Sequence, residues 1–160
     1  MSRVLRMIMV NIGTVQHGLS HRITEIDPQG CAAVIGPNGV GKTTTLRLFP
    51  LFYGSKPSGL IDRNGGQQSI IKFVLPSTRS ALVFEYTRGL AEHDRRIVVI
   101  RSKGEGSDTA EYRLFKTGYR KELFIGDDGT ILDDAQTCDR AIKMGIEPPS
   151  SVESRAKLSH

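Results

Sequence analysis

The run AAVIGPNGVGKTTTL, Ala32 to Leu46, constrains this chain more than any other stretch. Gly36-Pro37-Asn38-Gly39-Val40-Gly41-Lys42-Thr43 satisfies the pattern G-x-x-x-x-G-K-[ST], which needs a strand entering a glycine-rich loop and a helix leaving it. The glycines let the backbone wrap around a phosphate with its N–H groups turned inward, and the helix N-terminus adds a favourable dipole. CAAVI (Cys31 to Ile35) is short and uniformly apolar, as expected of a strand buried on both faces. KTTTLRLFPLFYG predicts a helix ending near Tyr53–Gly54, kinked or shortened at Pro50. In that frame Lys42 reaches the β- and γ-phosphates of ATP, the Thr43 hydroxyl ligates Mg²⁺, and Thr44 adds a phosphate contact. The alternative is a fortuitous glycine-rich turn, against which the flanking strand and helix argue.

Nucleotide hydrolysis asks for more than this loop. Mg²⁺ needs a second carboxylate at the end of a buried strand, and the attacking water needs a positioning group. The one candidate is TILDD (Thr130 to Asp134), where two apolar residues precede two acids. Two residues make a poor strand, and Asp133 or Asp134 serves more simply as the N-cap of a helix over DDAQTCDRAIKMG that ends at Gly145. The sequence therefore reads as half of an ATPase site.

The remaining organisation follows from periodicity. VLRMIMVN (Val4 to Asn11) and HRITEID (His21 to Asp27) predict strands, with DPQG as a turn. SIIKFVL (Ser69 to Leu75), SALVFEYTR (Ser80 to Arg88), RRIVVIR (Arg95 to Arg101), EYRLFK (Glu111 to Lys116) and ELFIG (Glu122 to Gly126) predict an antiparallel meander punctuated by Gly, Pro, Asp and Ser. The expected plan is one α/β domain: a P-loop core over 1–60, a meander over 66–126, a helix over 133–145 and a polar tail over 146–160. At 160 residues there is length for one real core.

Composition narrows the function classes. No window approaches the roughly 18 apolar residues of a membrane span, so no membrane role is expected. Cys31 and Cys138 lie far apart, in no metal-ligand spacing, which predicts a reducing compartment rather than a disulfide scaffold. The formal charge of +5 suits a polyanionic partner without demanding one.

GPNGVGKTT, reached through a strand, an NIGT turn, a second strand and IDPQG, resembles the N-terminal ATPase lobe of the structural maintenance of chromosomes (SMC) family. It is similar as well to SMC-like DNA-repair and plasmid-defence ATPases, the MukB-like branch among them; all have heads of the ABC class. The resemblance covers Arg3 to about Arg63, and beyond that it is one of architecture. It implies a P-loop NTPase lobe of ABC type with an antiparallel β-subdomain, ATP and Mg²⁺ as cofactors, and a cytoplasmic, nucleoid-associated protein. By the same resemblance Gly36 to Thr44 form the Walker A loop, and Asn11 and Thr14 of the NIGT turn lie near the base and ribose. Gln136 follows in chain order as a γ-phosphate sensor, Gln67 and Gln68 coming early. Arg63 falls where such heads carry an arginine close to DNA, with a solvated loop arginine as the plain alternative.

The departures from the family are as informative. An LSGG-like signature, a Walker B strand, a switch histidine and a heptad pattern are all missing from these 160 residues. The resemblance then implies partners: a C-terminal lobe of the same head, a second head across sandwiched ATP, and double-stranded DNA. The unpatterned end suits an interrupted chain. Arg95, Arg96, Arg101, Lys103, Arg113, Lys116, Arg120 and Lys121 make the meander basic. They read either as a duplex-binding surface with steep salt dependence or as solvated edge-strand charge. Two further readings stay open: a self-contained small P-loop kinase or NTPase, and a nucleotide-binding module that consumes nothing.

Overall fold

The computed structural model describes residues 2–13, 21–28, 33, 35, 42–55, 69–88 and 94–151. Six strands form one antiparallel sheet in the order β2-β1-β3-β4-β5-β6. They are β1 (Ser2–Ile12), β2 (His21–Ile26), β3 (Ala81–Arg88), β4 (Arg95–Ser102), β5 (Ala110–Phe115) and the two-residue β6 (Ser150–Ser151). Among the described residues three α-helices accompany them: α1 (Lys42–Phe52), α2 (Ile70–Val74) and α3 (Asp134–Lys143). The chain is thus α/β with an antiparallel sheet, as its punctuated β-runs predict.

Alternation along the strands sorts the core into two layers. Met7, Leu82, Phe84, Tyr86, Val98 and Ile100 face α1 and α2. Ile8, Val10, Ala81, Val83, Ile97 and Val99 face Phe124, Ile131 and Ala141, the last on α3. β3 lies third in the sheet and is buried from Ala81 to Thr87, which explains why it reads as a nearly continuous apolar run rather than an alternation. Phe52 of α1 is tilted against Phe84 and Tyr86, with ring centroids 5.5 and 5.2 Å away. Each such buried ring is worth about 1.5–3 kcal/mol over exposure.

Four expectations need correction. SIIKFVL is helical: Ile70, Ile71, Val74 and Leu75 are buried while Lys72 is exposed, the i, i+1, i+4, i+5 spacing of one helix face. In ELFIG the backbone makes a 3₁₀ turn over Lys121–Leu123, which sends Leu123 and Phe124 inward together, followed by a lone bridge from Ile125 to Ile131. Pro50 does not shorten α1, which continues to Phe52 with the proline inside its last turn. The tail is not wholly unpatterned, since Ser150 and Ser151 pair with Leu114 and Arg113.

α3 follows its sequence signals closely. Asp133 accepts from Gln136 N–H at 2.9 Å, and the Gln136 carboxamide oxygen accepts from Asp133 N–H at 3.1 Å, a reciprocal capping box. Gly145, at φ 72°, lets Ile146 N–H reach back to the Ala141 carbonyl at 2.9 Å and close the helix. Among the described residues no helix is long and apolar enough to cross a membrane.

Candidate functional site

Of the residues expected to hold phosphate, Lys42, Thr43 and Thr44 fall at the start of α1. Lys42 opens the helix, followed by exposed Thr43 and half-buried Thr44, and its first turn contains no acidic residue. The N–H groups of a first turn have no intrahelical acceptor and carry the positive end of the dipole. A cation and hydroxyls without a carboxylate suit an anion there. Gly36, Pro37, Asn38, Gly39, Val40 and Gly41 lie outside the described residues. Ala33 and Ile35 are described, and they correct the strand expected over CAAVI: both lie outside any strand, and Ile35 is 90% exposed. Among the described residues no strand pairs with them.

Asn11 occupies a corner at the end of β1. Its φ is +49°, in the left-handed region that Asn tolerates better than most residues. The Ser80 hydroxyl donates to its carbonyl at 2.7 Å, and Gly13, at φ 90°, donates its N–H to the Val74 carbonyl at 3.4 Å. Asn11 and Gly13 are therefore tied through their backbone to Ser80, just ahead of β3, and to α2. Thr14, Arg63, Gln67 and Gln68 lie outside the described residues.

Gln136 stands apart from the start of α1 along the fold, its carboxamide engaged in the cap of α3. The acids of TILDD likewise serve structure. Asp133 caps α3, and Asp134 receives Arg113 Nη2 at 2.8 Å. Among the described residues there is no grouping of His, Cys, Asp and Glu able to hold a metal ion.

Residues 14–147 match the model of the family described as "Protein of unknown function (DUF3584)". The chain belongs to the DUF3584 family. None of the curated proteins and none of the solved structures matches it. The DUF3584 span begins beyond β1, takes in α1 and closes after α3, so it covers the helix start and the capped helix, while Asn11 lies before it.

The cations of this DUF3584 chain are distributed differently from the expected run. Arg101 is a correction: only 2% exposed, it points into the α3 side of the sheet. Its Nη1 donates to the Thr78 carbonyl at 3.3 Å, and its Nη2 to the Leu132 carbonyl at 3.2 Å and Thr137 Oγ1 at 3.0 Å. Burial lowers its pKa to about 10 against the opposing pull of Asp134 and Asp133. It cannot form part of a surface. Exposed Lys103 follows the far end of β4, away from Arg95 and Arg96.

The register instead collects arginines at the other end of three neighbouring strands. Arg3 and Arg95 both lie opposite Thr87, Arg88 lies opposite Ser2, and Arg96 lies opposite Tyr86. Arg96 pairs with Asp94 at 3.0 Å, and Arg95 approaches buried Glu85 at 3.6 Å. Sequence reasoning missed Arg3 and Arg88 because they belong to other runs. Only antiparallel pairing of β1 with β3 brings them to the same end.

Proposed function

We propose that this chain is the ATP-binding lobe of an SMC-like ATPase serving chromosome maintenance, DNA repair or defence against foreign DNA. Gly36 to Thr44 hold Mg·ATP, with Lys42 on the phosphates and Thr43 on the metal. The absence of acid from the first turn of α1 fits that anionic load. Mg²⁺ supplies neutralisation of phosphate charge when bound; the chain's own part is to bind and orient the triphosphate.

The observation that carries the reading is the two-sided apolarity of α1. Leu48, Leu51 and Phe52 are buried against the sheet, whereas Leu46 and Tyr53, seven positions apart on the opposite side, are 54% and 67% exposed. Leu46 and, one residue past the helix, Tyr53 make an apolar spot on the side away from the sheet, beside exposed Thr43 and Arg47, and no described layer covers it. With exposed Ile35 beside the loop in sequence, this supports a half-site whose second layer is a C-terminal lobe, completed by a second head. Duplex DNA is the polyanion this reading assigns to Arg95, Arg96 and the neighbouring Arg3 and Arg88.

The test is steady-state phosphate release from Mg·ATP as chain concentration rises, beside equilibrium binding of Mg·ATP to the wild type and Lys42→Ala. Expected are measurable binding that Lys42→Ala abolishes, and release that stays at background. Release proportional to concentration and lost in Lys42→Ala would mean a complete catalytic site in these residues and overturn the half-site reading.

A further inference from the structure

Strand alternation divides the arginines at the end of the sheet between its two sides. Arg3 and Arg95 both lie opposite Thr87, two positions from Glu85 and so on the same α3 side. Arg96 lies opposite Tyr86, and Arg88 is two positions beyond it, so both take the α1 side. Burial pushes the Tyr86 phenol up while Arg96 and Arg88 pull against it, in keeping with that placement. On the Tyr86 side Arg96 is already matched by Asp94 at 3.0 Å, and only 20% of its side chain is exposed.

The α3 side gains a third arginine from an irregularity in β1. Its register shifts between Val4 and Arg6, and this brings Arg6 opposite Glu85. Strict alternation would send Arg3 and Arg6, three positions apart, to opposite sides. Among these cations sits one buried carboxylate, Glu85, in a layer that Ile8, Val83, Ile97 and Val99 otherwise make apolar. It accepts from Arg6 Nε and from Tyr119 N–H, the latter at 3.0 Å, while Glu25 reaches Arg6 from the exposed rim at 3.4 Å. Arg95 is its loosest neighbour, 3.6 Å away with a side chain 42% exposed.

We infer that Glu85 is an internal competitor with duplex phosphates for Arg95, and that it weakens the grip of the α3 side on DNA. This rests on the duplex reading above and narrows it to the side that carries Arg3, Arg6 and Arg95. The half-exposed Arg95 pair costs little to break. Arg6 and the Tyr119 N–H keep the carboxylate satisfied when Arg95 turns outward. A charge shielded from water is screened by salt less than an exposed one, so a phosphate lying over the arginines still feels Glu85.

The experiment is equilibrium binding of a short DNA duplex to the whole chain at several salt concentrations, with the thermal midpoint of each variant recorded. Glu85→Gln removes the charge and keeps an acceptor for Tyr119. Its thermal midpoint falls, yet it binds duplex about three- to tenfold more tightly at low salt, a gain that shrinks as salt rises. A role in the fold alone would leave binding unchanged or weaken it. Arg3→Gln and Arg95→Gln each weaken binding and lower the salt slope by about one, a larger loss than Arg88→Gln or Arg96→Gln causes. Unchanged or weaker binding in Glu85→Gln overturns the proposal, as does a larger loss from the two arginines on the Tyr86 side. If the wild type shows no salt-dependent binding of duplex, the duplex reading itself fails and this inference falls with it.

Discussion

Replacing Glu85 tests a buried carboxylate with three polar neighbours. Its carboxylate is 1% exposed in the middle of β3, on the α3 side of the sheet. It accepts hydrogen bonds from Arg6 Nε and from Tyr119 N–H, the latter at 3.0 Å, and Arg95 lies 3.6 Å away. Glu85→Ala strands the Tyr119 N–H, which costs about 1–3 kcal/mol if no water replaces the acceptor. The Arg6 and Arg95 side chains are 32% and 42% exposed, so water recovers much of their solvation and each lost pair adds less than about 1 kcal/mol.

The expected total is near 3 kcal/mol, or a fall in Tm of roughly 6–12 °C for a domain of this length. Urea unfolding reads it as a lower midpoint at unchanged slope. Glu85→Gln keeps an acceptor for Tyr119 and should lose about half as much. An alanine variant within about 0.5 kcal/mol of the wild type, the range of an ordinary surface substitution, would refute the reasoning.

Asp133→Ala should destabilise by about 1 kcal/mol through loss of the cap of α3, seen in the same assay, with protection from amide exchange lost first in the turn after Asp134. Gly118→Ala should also destabilise, because a Cβ there meets the Glu85 carboxylate at 2.9 Å and Arg95 at 3.5 Å; a thermal midpoint unchanged from wild type would contradict that. The Arg140 guanidinium holds the Asp127 carboxyl below its ordinary range. Because the folded-state value is the lower one, the stabilising interaction is present above the unfolded carboxyl pKa, about 3.9, and is lost as pH falls through the folded value. NMR titration should show this, and Arg140→Gln should return Asp127 to the ordinary range.

Much of the fold was legible because its central strands leave few choices. ALVFEYT and RRIVVIR have no helical face, and the Asp-x-x-Gln cap and Gly145 bracket α3. What misled was length. SIIKFVL is too short for periodicity to separate a buried strand from one turn of helix, and only its packing with α1 against Met7, Leu82 and Phe84 decides the matter. CAAVI reads as a strand that needs neighbours, and the described sheet offers it none. At the candidate site the sequence placed Lys42, Thr43 and Thr44 at a helix start. It could not separate Arg101 from the surface arginines, because burial depends on where α3 packs and not on the run in which an arginine sits.

The position of β1 has a consequence for how this chain reaches its structure. Arg6 and Glu85 meet although 79 positions separate them, and β1 is flanked in the sheet by β2 on one side and β3 on the other. As synthesis proceeds, β1 can pair with β2 early, but a two-stranded ribbon is at best marginally stable alone. It must wait for β3 before the sheet can close, a long-range step that slows folding. Trimming the first dozen residues would do lasting harm of the same kind. It would remove an inner strand and leave β3, buried from Ala81 to Thr87, as a bare apolar edge open to pairing with other chains.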